Sequence, residues 1–187
     1  MHTETTLTAT YVQMLRALSA WLDKAAATRP DDSGEGLLSA RLAPDMFPLS
    51  TQVRFACVQA YEGVARLRAE ALPPVVAELL EEGRGAGDAP GTLAGAKARI
   101  AETLGMLAGL DAAADTAGDD ASLAHELPNG MVFDLSREQY ARDWALPQFY
   151  FHLMAAYAIL RAEGVDLGKA DYVAHMFAYL RPGTMPG

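Results

Sequence analysis

The sequence predicts an all-α protein built as an up-down four-helix bundle. Apolar residues recur every three or four positions in four separate stretches, which is the spacing of one buried face on a helix. Segments rich in proline, glycine and aspartate separate those stretches and favour loops. A length of 187 residues and a hydrophobic fraction of 51% suit a single domain over residues 1–187 with one large core.

The first two long helices are predicted in the first 72 residues. One runs over Thr6–Thr28, and Arg29–Gly36 then forms a loop because it contains proline, glycine and three acidic residues. Leu37–Pro48 is apolar but interrupted by prolines, so we expect a short helical turn and an ordered loop. The second long helix begins at Pro48, which is tolerated in a first turn, and ends near Leu72 before two further prolines.

The other two long helices follow after a short accessory helix at residues 75–82. The third spans Thr92–Leu110 and the fourth spans Pro147–Glu163. Pro147 should interrupt the helix that approaches it, and Gly164 is a typical residue after a helix end. A short terminal helix is expected over Lys169–Leu180, and the last six residues should fray.

A small β-hairpin is predicted before the fourth helix. Asn129-Gly130 is a dipeptide typical of two-residue hairpin turns, and short apolar runs flank it at His125–Leu127 and Met131–Phe133. Such a hairpin needs support from the bundle because two strands alone are marginally stable. Ser136 and Gln139 then have the spacing of a capping box at a helix start.

Charge and cysteine content narrow the possible functions. The net charge of -9 disfavours binding to nucleic acid, whose phosphates would be repelled. The sequence contains no run of about 18 apolar residues, which is the length that a membrane-spanning helix needs, so no membrane partner is expected. The single cysteine, Cys57, cannot form an internal disulfide and lies on an apolar helix face, which indicates a core residue and a cytoplasmic protein.

Three segments resemble one family. They are TATYVQMLRALSAWLDKA at the start, LLSARLAPDMFPLSTQVRFAC in the middle and ALPQFYFHLMAAYAILRAEGVDLGKADY near the end. Together they resemble the DUF1993 family of bacterial and fungal proteins of unknown function, which is similar to the DinB/YfiT-like four-helix bundles. The resemblance implies a DinB-like fold. Some DinB-like proteins bind a divalent metal through three histidines, and some transfer low-molecular-weight thiols such as bacillithiol or mycothiol.

The histidines of this chain depart from that metal pattern. The pattern needs one histidine on the second long helix and two histidines four residues apart on the last one, where a single face presents both. By this resemblance His152 takes the second of the paired positions, but the first is Gln148 and the second helix has no histidine. We therefore predict no metal cofactor, with zinc or nickel at His152 as the open alternative. His2, His125 and His175 form no ligand spacing with His152.

Other side chains are candidates for a ligand pocket around His152. Tyr150 and Tyr157 lie seven residues apart on the fourth helix and so share a face, from which their hydroxyls could reach a cavity. Asp45 precedes the second helix and should cap it, although it could instead face a pocket with Arg54 or His152.

Three functions remain open. The favoured hypothesis is a small-ligand-binding or interaction bundle that holds an apolar molecule near a degenerate metal site, because no catalytic set replaces the missing histidines. The alternatives are a DinB-like metal-dependent enzyme, such as a low-molecular-weight thiol transferase, and a structural homodimer that buries the apolar segment LLSARLAPDMF.

Overall fold

A computed structural model describes residues 3–29, 31–110 and 118–184 of the chain. Four long helices form the bundle, and a shorter helix lies between the second and third of them. The helices are α1 (Thr3–Thr28), α2 (Leu49–Leu67), the short α3 (Pro74–Gly85), α4 (Leu93–Ala108) and, after a hairpin, α6 (Leu146–Ala162). The predicted helical bundle with short accessory helices is thereby confirmed.

The core lies around α2, which packs against α1, α3, α4 and α6. Because these four helices cover it, most residues of α2 are buried, polar ones included. Trp21 and Phe149 contribute the largest side chains from α1 and α6, at 1% and 0% exposed. Within the described residues, no helix combines the length and the apolar character that a membrane span requires.

The predicted hairpin is present and longer than expected. Strands β1 (Ser122–Glu126) and β2 (Val132–Ser136) pair antiparallel, with Ser122 opposite Ser136 and Glu126 opposite Val132. Gly130 in the turn has φ +84°, a left-handed conformation that glycine adopts without strain. The burial pattern of β1 alternates, so that Leu123 and His125 face the bundle.

A continuous helical segment of three parts follows β2. Ser136 caps α5 (Arg137–Gln139) in the predicted capping box, where each partner accepts from the other's backbone N–H. The chain then widens into a π-helical turn, Tyr140–Ala145, before α6 begins at Leu146. Pro147 supplies no N–H and its ring clashes with the carbonyl one turn earlier, so a widened turn ahead of it replaces the predicted break.

Two predicted helix ends were wrong. Helix α2 ends at Leu67 rather than near Leu72, because Ala69 takes a left-handed conformation with φ +53° and stops the helix before the prolines. The terminal helix is also divided: α7 (Lys169–Tyr172) is followed at Val173 by a non-helical residue and then by a 3₁₀ helix, Ala174–Tyr179. The predicted fraying falls partly on residues 185–187, which lie outside the described residues.

Candidate functional site

His152 on α6 faces α2 and is half-buried. Its Nδ1 lies 2.9 Å from Oε1 of Gln52, a side chain of α2 that is 2% exposed. The Gln52 amide nitrogen donates to the Phe47 carbonyl at 3.2 Å, so the amide oxygen must face the histidine. His152 therefore donates from Nδ1, and its Nε2 carries the free lone pair.

The protonation state of His152 follows from its burial. Burial lowers the pKa of the imidazole from 6.5 to about 4, since the charged form loses its hydration. The ring is thus neutral near pH 7. In this state Nε2 can accept a hydrogen bond from a ligand, and no proton has to leave first.

Two phenylalanine rings flank the imidazole, and a third extends the group, which gives the site its apolar character. Phe55 and Phe151 meet it edge to face, with centroids 5.3 and 5.2 Å from the imidazole. Phe47 extends this aromatic chain, at 5.7 Å from Phe55. Phe47 and Phe151 are 49% and 61% exposed, so the site opens to the surface. We call His152, Gln52 and these three rings the His152 site.

The donor atoms of the His152 site do not fit the three-histidine metal pattern. The side chain of α2 that meets His152 is the amide Gln52, and the position one turn earlier on α6 is the half-buried amide Gln148. Amide oxygens are poor ligands for zinc or nickel. Among the described residues, no group of three or more histidine, cysteine, aspartate or glutamate side chains is placed to hold a metal ion.

Tyr150 and Tyr157 lie on a different face of α6 from His152. A helix turns by about 100° per residue, which separates both tyrosines from His152 by more than a third of a turn. Tyr157 instead packs edge to face on Trp21 at 5.3 Å and contacts Tyr172 at 6.2 Å. The structure brings the two tyrosines to the α1–α7 side of the bundle, and they do not join the His152 site.

The predicted role of Asp45 as a helix cap was wrong. Helix α2 begins after Pro48, and no side chain of the described residues caps it. Asp45 is exposed in the preceding loop. Since Gln52 fills the place beside His152 and Arg54 binds elsewhere, Asp45 also does not join a pocket with either residue.

Arg54 lies on the opposite face of α2 from Gln52, two residues away, and forms part of a separate cleft. Its Nε binds Glu82 at 2.8 Å, and its guanidinium also binds the Ser50 hydroxyl at 2.7 Å. Arg99 of α4 binds the same Glu82. The cleft, of about 860 Å³ between α2, α3 and α4, is therefore lined by an ion-pair network that joins these three helices.

Cys57 has the structural role that the sequence predicts. It is fully buried, and burial raises the pKa of its thiol to about 12, so it is a core residue and has no nucleophilic character at neutral pH. Asp171, near His175 in sequence, has a structural role as well: its carboxylate binds Lys24 at 2.7 Å and accepts a hydrogen bond from the Gly168 backbone at the start of α7. His2 lies outside the described residues.

Sequence interpretation missed a group of buried and half-buried polar side chains at the other end of α2. We call it the polar cluster: Tyr11, Glu62, Arg66, His125 and Tyr140. One signal was present, because Glu62 and Arg66 are four residues apart and flank the apolar stripe of α2. The inward position of His125 depends on the strand register, which the turn dipeptide alone did not fix.

The comparisons with known proteins give a family and support the fold. A crystal structure of a DinB family member protein from Shewanella denitrificans is 33% identical, with a TM-score of 0.71 over 96% of this chain and 93% of that one. No curated protein matches the chain. The model of the family described as "Domain of unknown function (DUF1993)" matches residues 4–173. The chain therefore belongs to the DUF1993 family.

Proposed function

We propose that this protein binds a small, largely apolar molecule at the His152 site without using a metal ion. One observation carries the proposal: the hydrogen bond from His152 Nδ1 to Gln52 fixes the tautomer that leaves Nε2 as an acceptor. A metal site would need further nitrogen or carboxylate donors here, and the neighbouring positions supply amides.

The ligand chemistry follows from what surrounds Nε2. Phenylalanine rings favour an aromatic or aliphatic body, and a neutral imidazole nitrogen favours an O–H or N–H donor on that body. The low pKa of His152 removes the positive charge that an anionic ligand would require. Phenol is thus a suitable probe, and toluene is its matched partner without the donor.

Binding of the two probes to the full chain can be measured by NMR, using the backbone amide shifts of α2 and α6, which remain observable when His152 is replaced. We expect phenol to bind about tenfold more tightly than toluene, since one hydrogen bond to an otherwise unpartnered acceptor is worth roughly 1 kcal/mol or more. In His152→Phe, which keeps an aromatic ring, both probes should bind equally. His175→Phe is the control and should preserve the preference for phenol.

Failure to bind either probe at millimolar concentration would contradict the proposal. So would a preference for phenol that survives His152→Phe, because the donor would then be recognised elsewhere.

A metal-dependent enzyme of the DinB type is the second candidate, and the 33% identity to a DinB family structure favours it. Metal analysis of protein purified without a histidine tag distinguishes the two. Stoichiometric zinc or nickel that is lost in His152→Ala would replace the metal-free proposal by this one. A thiol transferase would in addition show a thiol-dependent shift of the melting temperature in the metal-loaded protein.

A homodimer is a further candidate, and the open rings of the His152 site favour it. Leu42, Phe47 and Phe151 are 43%, 49% and 61% exposed, which is more apolar surface than an isolated side chain would leave. Sedimentation of the wild type and of Phe151→Ser tests it, and a monomer at every concentration would exclude it. We also propose a cytoplasmic location, supported by the buried, unpaired Cys57.

A further inference from the structure

The polar cluster contains buried hydrogen-bonding atoms that the protein itself does not satisfy. The Tyr11 hydroxyl, Nε of Arg66 and both ring nitrogens of His125 are buried and have no hydrogen-bond partner in the part of the chain that the structure describes. Tyr11 and His125 are 0% and 4% exposed, so bulk water does not compensate them. Buried groups of this kind are rare in native proteins, and several in one place indicate an occupant.

These atoms converge from four elements of the fold. The His125 ring, from β1, lies 5.3 Å from the ring of Tyr140 in the π-helical turn and 4.6 Å from that of Trp144. The Tyr11 hydroxyl of α1 lies against α2 at Gly63, where an added methyl group would overlap it, and Arg66 follows three residues later on the same helix. Helix α2 also packs against β1 and the π-helical turn. The groups therefore surround one region between α1, α2, β1 and the π-helical turn.

The charges of the cluster favour an anion. Arg66 forms no ion pair within 4 Å among the described residues, although its Nε is buried. The acidic neighbour is Glu62, one turn earlier on α2, and burial raises the pKa of its carboxyl group. A half-buried guanidinium whose Nε is shielded from water, with no carboxylate within 4 Å among the described residues, is a strong site for a carboxylate.

The neutral groups are donors as well. Burial raises the pKa of both tyrosine hydroxyls, so they keep their protons, and it lowers the pKa of His125, so the ring is neutral with one N–H. A metal cation is disfavoured at such a set, because Arg66 repels it and the protonated tyrosines are not ligands.

We propose that the polar cluster binds the carboxylate group of a small organic acid, held by Arg66 with hydrogen bonds from Tyr11 and His125. This binding site is separate from the His152 site. Gln52 and Glu62 are ten residues apart on α2, which corresponds to about 15 Å along the helix axis. Failure of either proposal leaves the other intact.

Acetate, pyruvate and benzoate are the probes, tested on the full chain as sodium salts against sodium chloride at equal ionic strength. Acetamide and benzamide are neutral controls of the same shape. We expect at least one carboxylate to raise the melting temperature and to shift the His125 ring signals, with saturation and without an effect of its amide.

Two variants assign the binding to the cluster. Tyr11→Phe removes only the unpartnered hydroxyl, so the protein should fold with unchanged stability and bind the carboxylate about fivefold more weakly. Arg66→Gln should weaken binding by at least about tenfold, because a charged donor is lost. Tyr157→Phe, which removes a hydroxyl outside the cluster, is the matched control and should bind as the wild type does.

Three results would overturn the proposal. One is no response to any of the three carboxylates. Another is equal affinity in Tyr11→Phe and the wild type together with unchanged His125 signals, which places the anion elsewhere. The third is a crystal structure grown with the carboxylate in which ordered water alone fills the cluster.

Discussion

The two inward-facing histidines of this bundle occupy opposite kinds of environment. Burial lowers the pKa of each ring, so both are neutral near pH 7. His152 has a partner in Gln52 and lies beneath rings that open to solvent. His125, on β1 of the hairpin, faces the bundle and has no hydrogen-bond partner among the described residues. We refer to these regions as the open side, at His152, and the closed end, at the polar cluster.

The difference shows that burial alone does not identify a site. At the open side the polar atoms of the protein satisfy one another and leave a single directed acceptor. At the closed end several buried hydrogen-bonding groups lack a partner among the described residues, and the folded state remains stable despite the free energy that this costs. Buried hydrogen-bonding groups without a partner each destabilise a protein by about 1–3 kcal/mol, so the closed end should be the less forgiving region to disturb.

The largest expected effect concerns an ion pair beside the closed end. Arg68 binds Glu4 through two hydrogen bonds of 2.6 and 2.9 Å, and both side chains are less than a tenth exposed. Glu4→Gln should lower the free energy of unfolding by about 3 kcal/mol, since it removes the negative charge from a buried ion pair that is joined by two hydrogen bonds. Urea denaturation measures this change. Glu163→Gln, at the exposed pair with Arg29, is the control and should cost less than about 0.5 kcal/mol.

The next effect concerns pH and the open side. The pKa of His152 is lower in the folded chain, about 4, than its ordinary value of 6.5. Between these two pH values the unfolded chain therefore binds more protons than the folded chain. The contribution of His152 to the free energy of unfolding is fully present above pH 6.5 and is lost as the pH falls toward 4. The loss should be on the order of 2 kcal/mol and should be absent in His152→Phe. An NMR titration in which His152 gains its proton above pH 6 would contradict this account.

A matched pair of glycines compares the packing of the two regions directly. A methyl group on Gly63 would overlap the Tyr11 hydroxyl at the closed end, and one on Gly83 would overlap the Phe55 ring at the open side. Tyr11 is fully buried, whereas Phe55 is half-buried and can turn toward solvent. Gly63→Ala should destabilise by about 2 kcal/mol, and Gly83→Ala by less than about 1 kcal/mol. Equal costs in thermal or urea unfolding would mean that the two regions are equally rigid.

The smallest expected effect is that of Tyr11→Phe on the stability of the protein without a ligand. Its hydroxyl has no hydrogen bond to lose, so the free energy of unfolding should change by less than about 0.5 kcal/mol or should rise. A loss of more than 1.5 kcal/mol would show that an internal hydrogen bond satisfies this hydroxyl, and the contrast between the two regions would then fail.

Local patterns predicted most of the fold but little of the site. The spacing of apolar residues predicted the four long helices. The dipeptide Asn129-Gly130 predicted the hairpin turn, and Ser136 predicted a helix start. These signals succeed because each acts over a few neighbouring residues. The partner of His152 is Gln52, one hundred positions away. No local pattern contains that pairing, and the interpretation of Asp45 as a cap failed because the loop geometry turned its side chain to solvent.

The polar cluster was missed for a related reason. Tyr11 belongs to the apolar stripe of α1, where a tyrosine counts as a core residue whether or not its hydroxyl finds a partner. Only three-dimensional contacts show that it lies unpaired beside Glu62 and Tyr140.

The π-helical turn at Tyr140–Ala145 is a position where the chain can lose one residue without disturbing its neighbours. Such a turn holds about one residue more than an α-helical turn, so loss of one exposed residue there, for example Asp143, can convert it to α-helix if Pro147 is replaced as well. The helical residues before and after the turn would still direct the same side chains toward the core. Tyr140 would still point at the closed end and His152 at the open side, which makes this segment the place where relatives of this chain can differ by one residue without rearranging either site.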